Sequence, residues 1–182
     1  GYTNAGKSTL FNRLVSARAY AADQLFATLD TTTRKLYLPD YNSSIVVSDT
    51  VGFIQALPHT LVAAFRATLE ETIQADLLLH VVDATSINRD KQIAEVNKLL
   101  REIGADGIPQ ILVLNKIDKT KSNLAANCTR NEYDRISAIR LSAKTGEGLE
   151  FLQGAMIEEF NQTLAGSVGR VLSLCEECNE RN

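Results

Sequence analysis

The chain has 182 residues, 45% of them hydrophobic and 23% charged, with a formal net charge of −3. That length suits one domain with a sizeable core, and the mildly acidic balance gives no support for bulk electrostatic binding to nucleic acid. No apolar run approaches the roughly 20 residues that a membrane-spanning helix needs; the most apolar stretch, residues 77–82, is interrupted by His80 and ends at Asp83.

The first element is a loop. Gly1, Tyr2, Thr3, Asn4, Ala5, Gly6, Lys7 and Ser8, followed by Thr9, fit GxxxxGK[ST]. Gly1 and Gly6 let the backbone curl so that consecutive N–H groups point inward at phosphate oxygens. Lys7 brings a point charge to the β- and γ-phosphates, and the Ser8 hydroxyl is a hard oxygen suited to Mg²⁺. A helix from Lys7 to about Arg18 adds its positive N-terminal end. The competing reading is a chance glycine-rich turn before a helix, and the loop by itself does not separate ATP from GTP. Loops of this kind hang from the end of a buried strand, yet residue 1 is already the first glycine. The expected sheet therefore lacks its first, loop-bearing strand, and the chain alone is expected to fold poorly or to bind nucleotide weakly. The lack of a leader segment says little for the same reason.

Beyond the loop, strand-like runs alternate with helix-like periodic segments, the pattern of an α/β fold with a mostly parallel sheet and helices on both faces. Strands are expected over residues 35–38, 44–48, 77–83, 110–115 and 139–142. The runs Ile45-Val46-Val47 and Ile111-Leu112-Val113-Leu114 are continuously apolar, as strands buried on both faces should be. Leu61, Phe65, Leu69 and Ile73 form one helical stripe; Ile93, Val96, Leu100 and Ile103 form the next, ended by Gly104, Gly107 and Pro109. Residues 119–133 turn polar and read as a surface connection with room for a short helix. Leu149, Leu152, Met156 and Phe160 line the last helix. The stripes read as core packing. Residues 1–164 form the expected domain, and 165–182 a loosely ordered tail or linker.

Three cysteines do not suggest a disulfide scaffold. Cys175 and Cys178 form a CxxC in the tail, but Cys128, His59 and His80 supply no matching ligand spacing for zinc. Two reduced thiols are the preferred reading.

Three further stretches add to the first loop. Asp49-Thr50-Val51-Gly52 follows the apolar run IVVS, placing a carboxylate at the C-terminal end of a strand, where ligands bind in open α/β sheets. Asp49 can hold Mg²⁺ through water, and Gly52 can offer its N–H to a γ-phosphate. Asn115-Lys116-Ile117-Asp118 follows ILVL. The Asp118 carboxylate accepts two hydrogen bonds, which matches the N1–H and 2-amino group of guanine; adenine has no such pair. Ser142-Ala143-Lys144 follows IRL, and its backbone N–H groups can meet the guanine carbonyl oxygen. Each stretch alone has a plain reading, a helix cap or a polar loop.

In this chain order the set resembles the Ras-like superfamily of P-loop GTPases. GYTNAGKSTLFN, YAADQLFATLD, DTVGFIQALPHTLVAAFRATLEET and ADLLLHVVDA together look like the G domain of HflX, a ribosome-associated GTPase family. The likeness covers about residues 1 to 160, and LPHTLVAAFRATLEET is its most diagnostic part. The family's LDPTTR reads LDTTTR here, with Thr31 in the proline position. Members of the family carry a separate N-terminal domain that makes the main ribosome contact.

The resemblance implies a first switch at Leu25, Phe26, Ala27, Thr28, Leu29 and Asp30. The Thr28 hydroxyl would reach Mg²⁺ and its N–H the γ-phosphate. Thr32 and Thr33 are rivals, although a solvated strand entry is preferred for residues 31–33. Lys7, Thr28 and Gly52 would act in hydrolysis; Ser8, Thr28 and Asp49 would ligate Mg²⁺. Phe53 occupies the position of the Ras water-orienting glutamine and can neither donate nor accept a hydrogen bond, so slow intrinsic turnover is expected. Gln55 is a poor substitute by position. In some relatives an asparagine at the Asn4 position ligates K⁺; ordinary hydrogen bonding within the loop is preferred. The implied partners are guanine nucleotide and the large ribosomal subunit, with the protein a cytoplasmic monomer. A P-loop ATPase or kinase is the rival reading, against which NKID and SAK argue.

Overall fold

The computed structural model describes residues 4–16, 33–38, 43–49, 72–120 and 125–166. The first helix, α1, runs Lys7–Ser16 and is joined to the loop before it by the Leu10 N–H, which donates to the Gly6 carbonyl at 2.9 Å. Leu10, Phe11 and Leu14 recur on one face and are buried.

Two strands follow, β1 (Thr33–Leu38) and β2 (Ser43–Ser48), paired antiparallel with Thr33 opposite Ser48. Then come β3 (Leu78–Asp83), α2 (Arg89–Glu102), β4 (Gln110–Asn115), a single 3-10 turn at Ile117–Lys119, β5 (Asn127–Arg130), β6 (Ile136–Arg140) and α3 (Leu149–Gly166). Among the described residues, β1 and β2 form one sheet, and a second has the order β3-β4-β6-β5. β3, β4 and β6 are parallel, and β5 adds antiparallel to β6.

Successive residues of a strand face opposite sides of its sheet, and both sides are covered. Val81, Ile111, Val113 and Ile139 pack with Leu10 and Leu14 of α1 and Leu149, Leu152 and Met156 of α3. Leu78, on the other side, packs with Val96 and Leu100 of α2. The expected parallel sheet with helices on both faces is what the chain forms. Leu36 of β1 belongs to the main core, with Ile45 and Val47 packed against it.

The departures are local and physical. Ile45, Val46 and Val47 are half-buried, because β2 pairs with β1 alone among the described strands and is not enclosed on both faces. The last strand ends at Arg140, not at residue 142: Leu141 to Ala143 turn away to meet the loop after β4. Within the polar stretch, residues 127–130 are a strand, held by pairing with β6 despite weak local preference. Ile103 caps α2 from outside, Gly104 follows at φ +75°, and Gly107 and Pro109 lie beyond. Ile73 is 45% exposed, so the fourth position of its expected stripe is not core. Leu61, Phe65, Leu69, residues 121–124 and residues 167–182 lie outside the described residues.

His80 is 4% exposed in β3, on the α2 side. The Gln110 Nε2 lies 3.3 Å from its Nδ1 and 3.2 Å from the Asn97 Oδ1. Its Nε2 has no partner among the described residues. Burial lowers its pKa to about 4. An unfolded histidine titrates near 6.5, so between those values the unfolded chain binds more protons and stability falls as pH falls. The loss grows to about 3 kcal/mol by pH 4 and is absent above about pH 6.5. Urea unfolding at pH 7, 5.5 and 4.5 checks this: His80→Leu should lose less stability on acidification than the native chain.

Gly148, between β6 and α3, has φ +82°, and a Cβ there would sit 2.7 Å from the Arg140 carbonyl oxygen and 2.8 Å from Ala126 Cβ. Gly107 has open space around the same position. Gly148→Ala is expected to lower stability by about 2 kcal/mol or more, with Gly107→Ala within about 0.5 kcal/mol of the native chain; chemical denaturation of both reads the difference.

Candidate functional site

The C-terminal ends of the parallel strands bring four segments together: the loop before α1, the residues after β3, those after β4 and those after β6. This is where an open α/β sheet binds its ligand.

Asn115, the last residue of β4, is 2% exposed and bonds to all four. Its Nδ2 donates to the Ala5 carbonyl at 2.9 Å. Its Oδ1 accepts the Ala143 N–H at 2.9 Å and the Lys116 N–H at 2.8 Å. The Asn115 carbonyl accepts the Ala84 N–H at 2.8 Å. Close approach of the first loop depends on Gly6, at φ +93°: a Cβ there would run into the Asn115 amide.

Lys116 takes the left-handed conformation, φ 68°. Its Nζ donates to the Asn4 carbonyl at 2.6 Å and to Asp83 Oδ2 at 2.7 Å. Asp83 Oδ1 accepts from the Thr85 N–H and hydroxyl at 2.9 and 2.6 Å. Burial acts to raise the Asp83 pKa, but the hydrogen bonds from Lys116 and Thr85 outweigh it and the net shift is downward. Asn4 itself is exposed, at φ 63°.

Asp118 is exposed, and its Oδ1 accepts from the Ser142 hydroxyl at 2.7 Å. The same hydroxyl oxygen accepts the Thr145 N–H at 3.1 Å. Ile117 between them is buried at 3% exposure and anchors the turn. Arg13 of α1 reaches across, its Nη2 donating to the Lys144 carbonyl at 2.8 Å.

At the other end Ala5 is buried, and Ser8 and Thr9 are exposed on the first turn of α1. Lys7 is partly buried; desolvation lowers its pKa, opposed by the nearby Asp49 carboxylate. Asp49 directly follows β2. Among the described residues no three His, Cys, Asp or Glu side chains cluster. Mg²⁺ held by a hydroxyl, one carboxylate, phosphate oxygens and water does not need such a cluster.

The structure thus brings Asn4, Ala5 and Gly6 to Asn115 and Lys116, and Asp118 to Ser142, and leaves Ala143 and Lys144 beside them. Gly1, Tyr2, Thr3, Leu25, Phe26, Ala27, Thr28, Leu29, Asp30, Thr50, Val51, Gly52, Phe53 and Gln55 lie outside the described residues. Sequence reasoning missed two side chains. Asp83 carried a readable signal, a carboxylate ending an apolar strand as Asp49 does. Arg13 carried none, because its contact spans 131 positions.

Comparison with known proteins agrees with this geometry. The family model for the 50S ribosome-binding GTPase matches residues 1–116. The chain is 52% identical over 165 residues to the GTPase HflX of Escherichia coli (strain K12), covering 91% of this chain and 38% of that protein. It is 50% identical over 164 residues to the GTPase HflX of Caldanaerobacter subterraneus subsp. tengcongensis, covering 90% of this chain and 36% of the relative. It therefore spans under two fifths of these relatives. Among solved structures it is similar to a GTP-binding protein from the hyperthermophilic archaeon Sulfolobus solfataricus in complex with GDP, at 29% identity and TM-score 0.67, covering 90% of this chain and 51% of that one. Era from Aquifex aeolicus, 24% identical with TM-score 0.59 over 87% of this chain and 54% of its own, shares the fold. The loop before α1 laced by Asn115 to the loop after β6, the family model over residues 1–116 and a sequence about half identical to the two HflX proteins have one common explanation: the chain belongs to the 50S ribosome-binding GTPase family and is similar to its HflX members.

Proposed function

We propose that this chain binds GTP and hydrolyses it to GDP and phosphate, with Mg²⁺, as the switch domain of a cytoplasmic, monomeric protein acting on the large ribosomal subunit. The observation that carries the nucleotide reading is the Asn115 side chain, which fixes the phosphate loop and the Ser142–Lys144 loop at once. The ribosomal part rests on the family's description. A P-loop kinase or ATPase is disfavoured, because a buried linkage to a carboxylate-bearing base loop serves guanine. The weakly binding piece is disfavoured too, since residues 4–8 already hold their loop geometry.

Asp118 reads the base. Ser142 occupies one acceptor direction on Oδ1, and the exposed remainder of the carboxylate accepts the guanine N1–H and 2-amino group. Adenine presents an acceptor at N1 and would leave the carboxylate unpaired. Lys7 serves the phosphates: a partly desolvated ammonium gains most when an anion replaces lost water. Ser8, Thr28 and Asp49 would hold Mg²⁺ as hard oxygen ligands, and the metal when bound would supply charge neutralisation on the phosphates.

Hydrolysis is a matter of positioning and electrostatics. Lys7 and the N–H groups of residues 1–6 stabilise charge on the β–γ bridge, while Thr28 and Gly52 grip the γ-phosphate and are released after cleavage. Phe53 cannot orient the attacking water, so intrinsic turnover is slow. Assistance comes from K⁺ at Asn4, from Gln55 or from the ribosomal partner.

Titration of fluorescent GDP into the full chain with Mg²⁺, competed by unlabelled GTP and ATP, tests the reading. Displacement by GTP alone is expected; equal displacement by ATP would overturn the guanine assignment. Asp118→Asn exchanges an acceptor for a donor that suits the 2-oxo group of xanthine. GDP affinity should fall by about a hundredfold while xanthosine diphosphate affinity rises, as measured by the same competition.

A further inference from the structure

The loop after β6 has nearly all its backbone donors engaged. The Ser142 N–H donates to the Glu147 carbonyl at 2.9 Å, and the Gly146 N–H to the Ser142 carbonyl at 2.8 Å. The Thr145 N–H goes to the Ser142 hydroxyl, and the Ala143 N–H goes to Asn115. Among the described residues, the Lys144 N–H is the one donor of residues 142–146 without a partner. The Ala143 N–H, also expected to face the guanine carbonyl oxygen, is already held by a buried amide.

The peptide groups on either side of that donor are fixed from different elements. Asn115 holds the Ala143 N–H from β4. Arg13 holds the Lys144 carbonyl from α1, and a Cβ added at Gly146 would lie 3.5 Å from its guanidinium. Arg13 is exposed at the edge of the face through which Leu10 and Leu14 of its helix pack, and it is not among the buried core residues. The same helix begins at Lys7.

Resting on the guanine reading above, we infer that Arg13 is a positioning residue for base specificity: it aims the Lys144 N–H at the 6-oxo group of guanine. The role follows from the planar, charged fork of arginine, which can grip a carbonyl while stacking on the backbone beside it; lysine offers only a point charge. Arg13 touches neither phosphate nor metal, so its removal should cost recognition of one atom of the base and nothing else.

The test uses the full chain and a nucleotide that lacks that atom. Affinities of the native chain, Arg13→Ala and Arg13→Lys are measured for GDP and for 6-thioguanosine diphosphate, which keeps the N1–H and the 2-amino group and replaces the 6-oxo oxygen by sulfur, a much weaker hydrogen-bond acceptor. Urea midpoints establish that each variant is folded. Arg13→Ala should weaken GDP binding by about tenfold, the worth of one hydrogen bond, and binding of the 6-thio nucleotide by less than about twofold. Arg13→Lys should recover only part of the loss. Equal losses for both nucleotides, or unchanged GDP binding, would overturn the role of Arg13 while leaving guanine selection intact. A native chain that binds ADP as tightly as GDP would instead remove the guanine reading, and this inference with it.

Discussion

Everything at this site depends on one buried amide. Asn115 lies at the end of a parallel strand, with almost no exposure, and has three groups to satisfy. The partners it finds belong to the loop before α1 and the loop after β6, so two loops distant in sequence acquire a fixed spacing. A buried carboxamide left without partners costs about 1–3 kcal/mol, which makes the assembled arrangement strongly preferred over a loosened one. A hydrophobic residue of similar volume would fill the space and specify nothing. Here a polar group in the core sets the spacing between the loop before α1 and the loop after β6.

The two lysines near this junction are used in opposite ways. Lys116 is committed to the chain itself: its ammonium lies between the Asp83 carboxylate and the Asn4 carbonyl, both under 3 Å away. The pair is partly buried and reinforced by Thr85 on the far side of Asp83, so it fixes geometry. Lys7 is held in an environment that disfavours its charge, with Asp49 offsetting only part of the desolvation. One ammonium is neutralised by a carboxylate within the protein, whereas burial works against the charge of the other. The NKID lysine thus ties the end of β3 to the loop before α1.

Much of this was legible in the sequence. The loop glycines and Lys7 fit a phosphate-loop pattern that also located α1; Asp49, Asn115, Asp118 and residues 142–144 end or follow apolar runs, such runs located β3 and β4, and helical stripes located α2 and α3. The apolar face of α3, at Leu149, Leu152 and Met156, is the face that packs. What sequence could not supply was long-range. Residues 127–130, Asn-Cys-Thr-Arg, have little intrinsic preference for a strand, and β6 imposes it. The half-burial of β2 reflects how many neighbours it has, a property of topology and not of the run IVV. His80 looked like an interruption of a strand, yet it is deeply buried beside Gln110 and Asn97, because those polar neighbours arrive from β4 and α2. Arg13 sits in an ordinary amphipathic helix, and its partner lies in the last third of the chain.

The glycine at position 6 is ordinarily understood through the anion it faces. In this chain it also faces inward, where a Cβ would occupy the space of the Asn115 amide. Any side chain at that position would push the amide away from Ala5, and the displacement would reach the Ala143 N–H through the same functional group. A side chain at residue 6 would therefore disturb the loop before α1 and the loop after β6 together, although only one of them carries the change. A single steric clearance makes two distant loops one unit, and natural variation at residue 6 cannot alter one without the other.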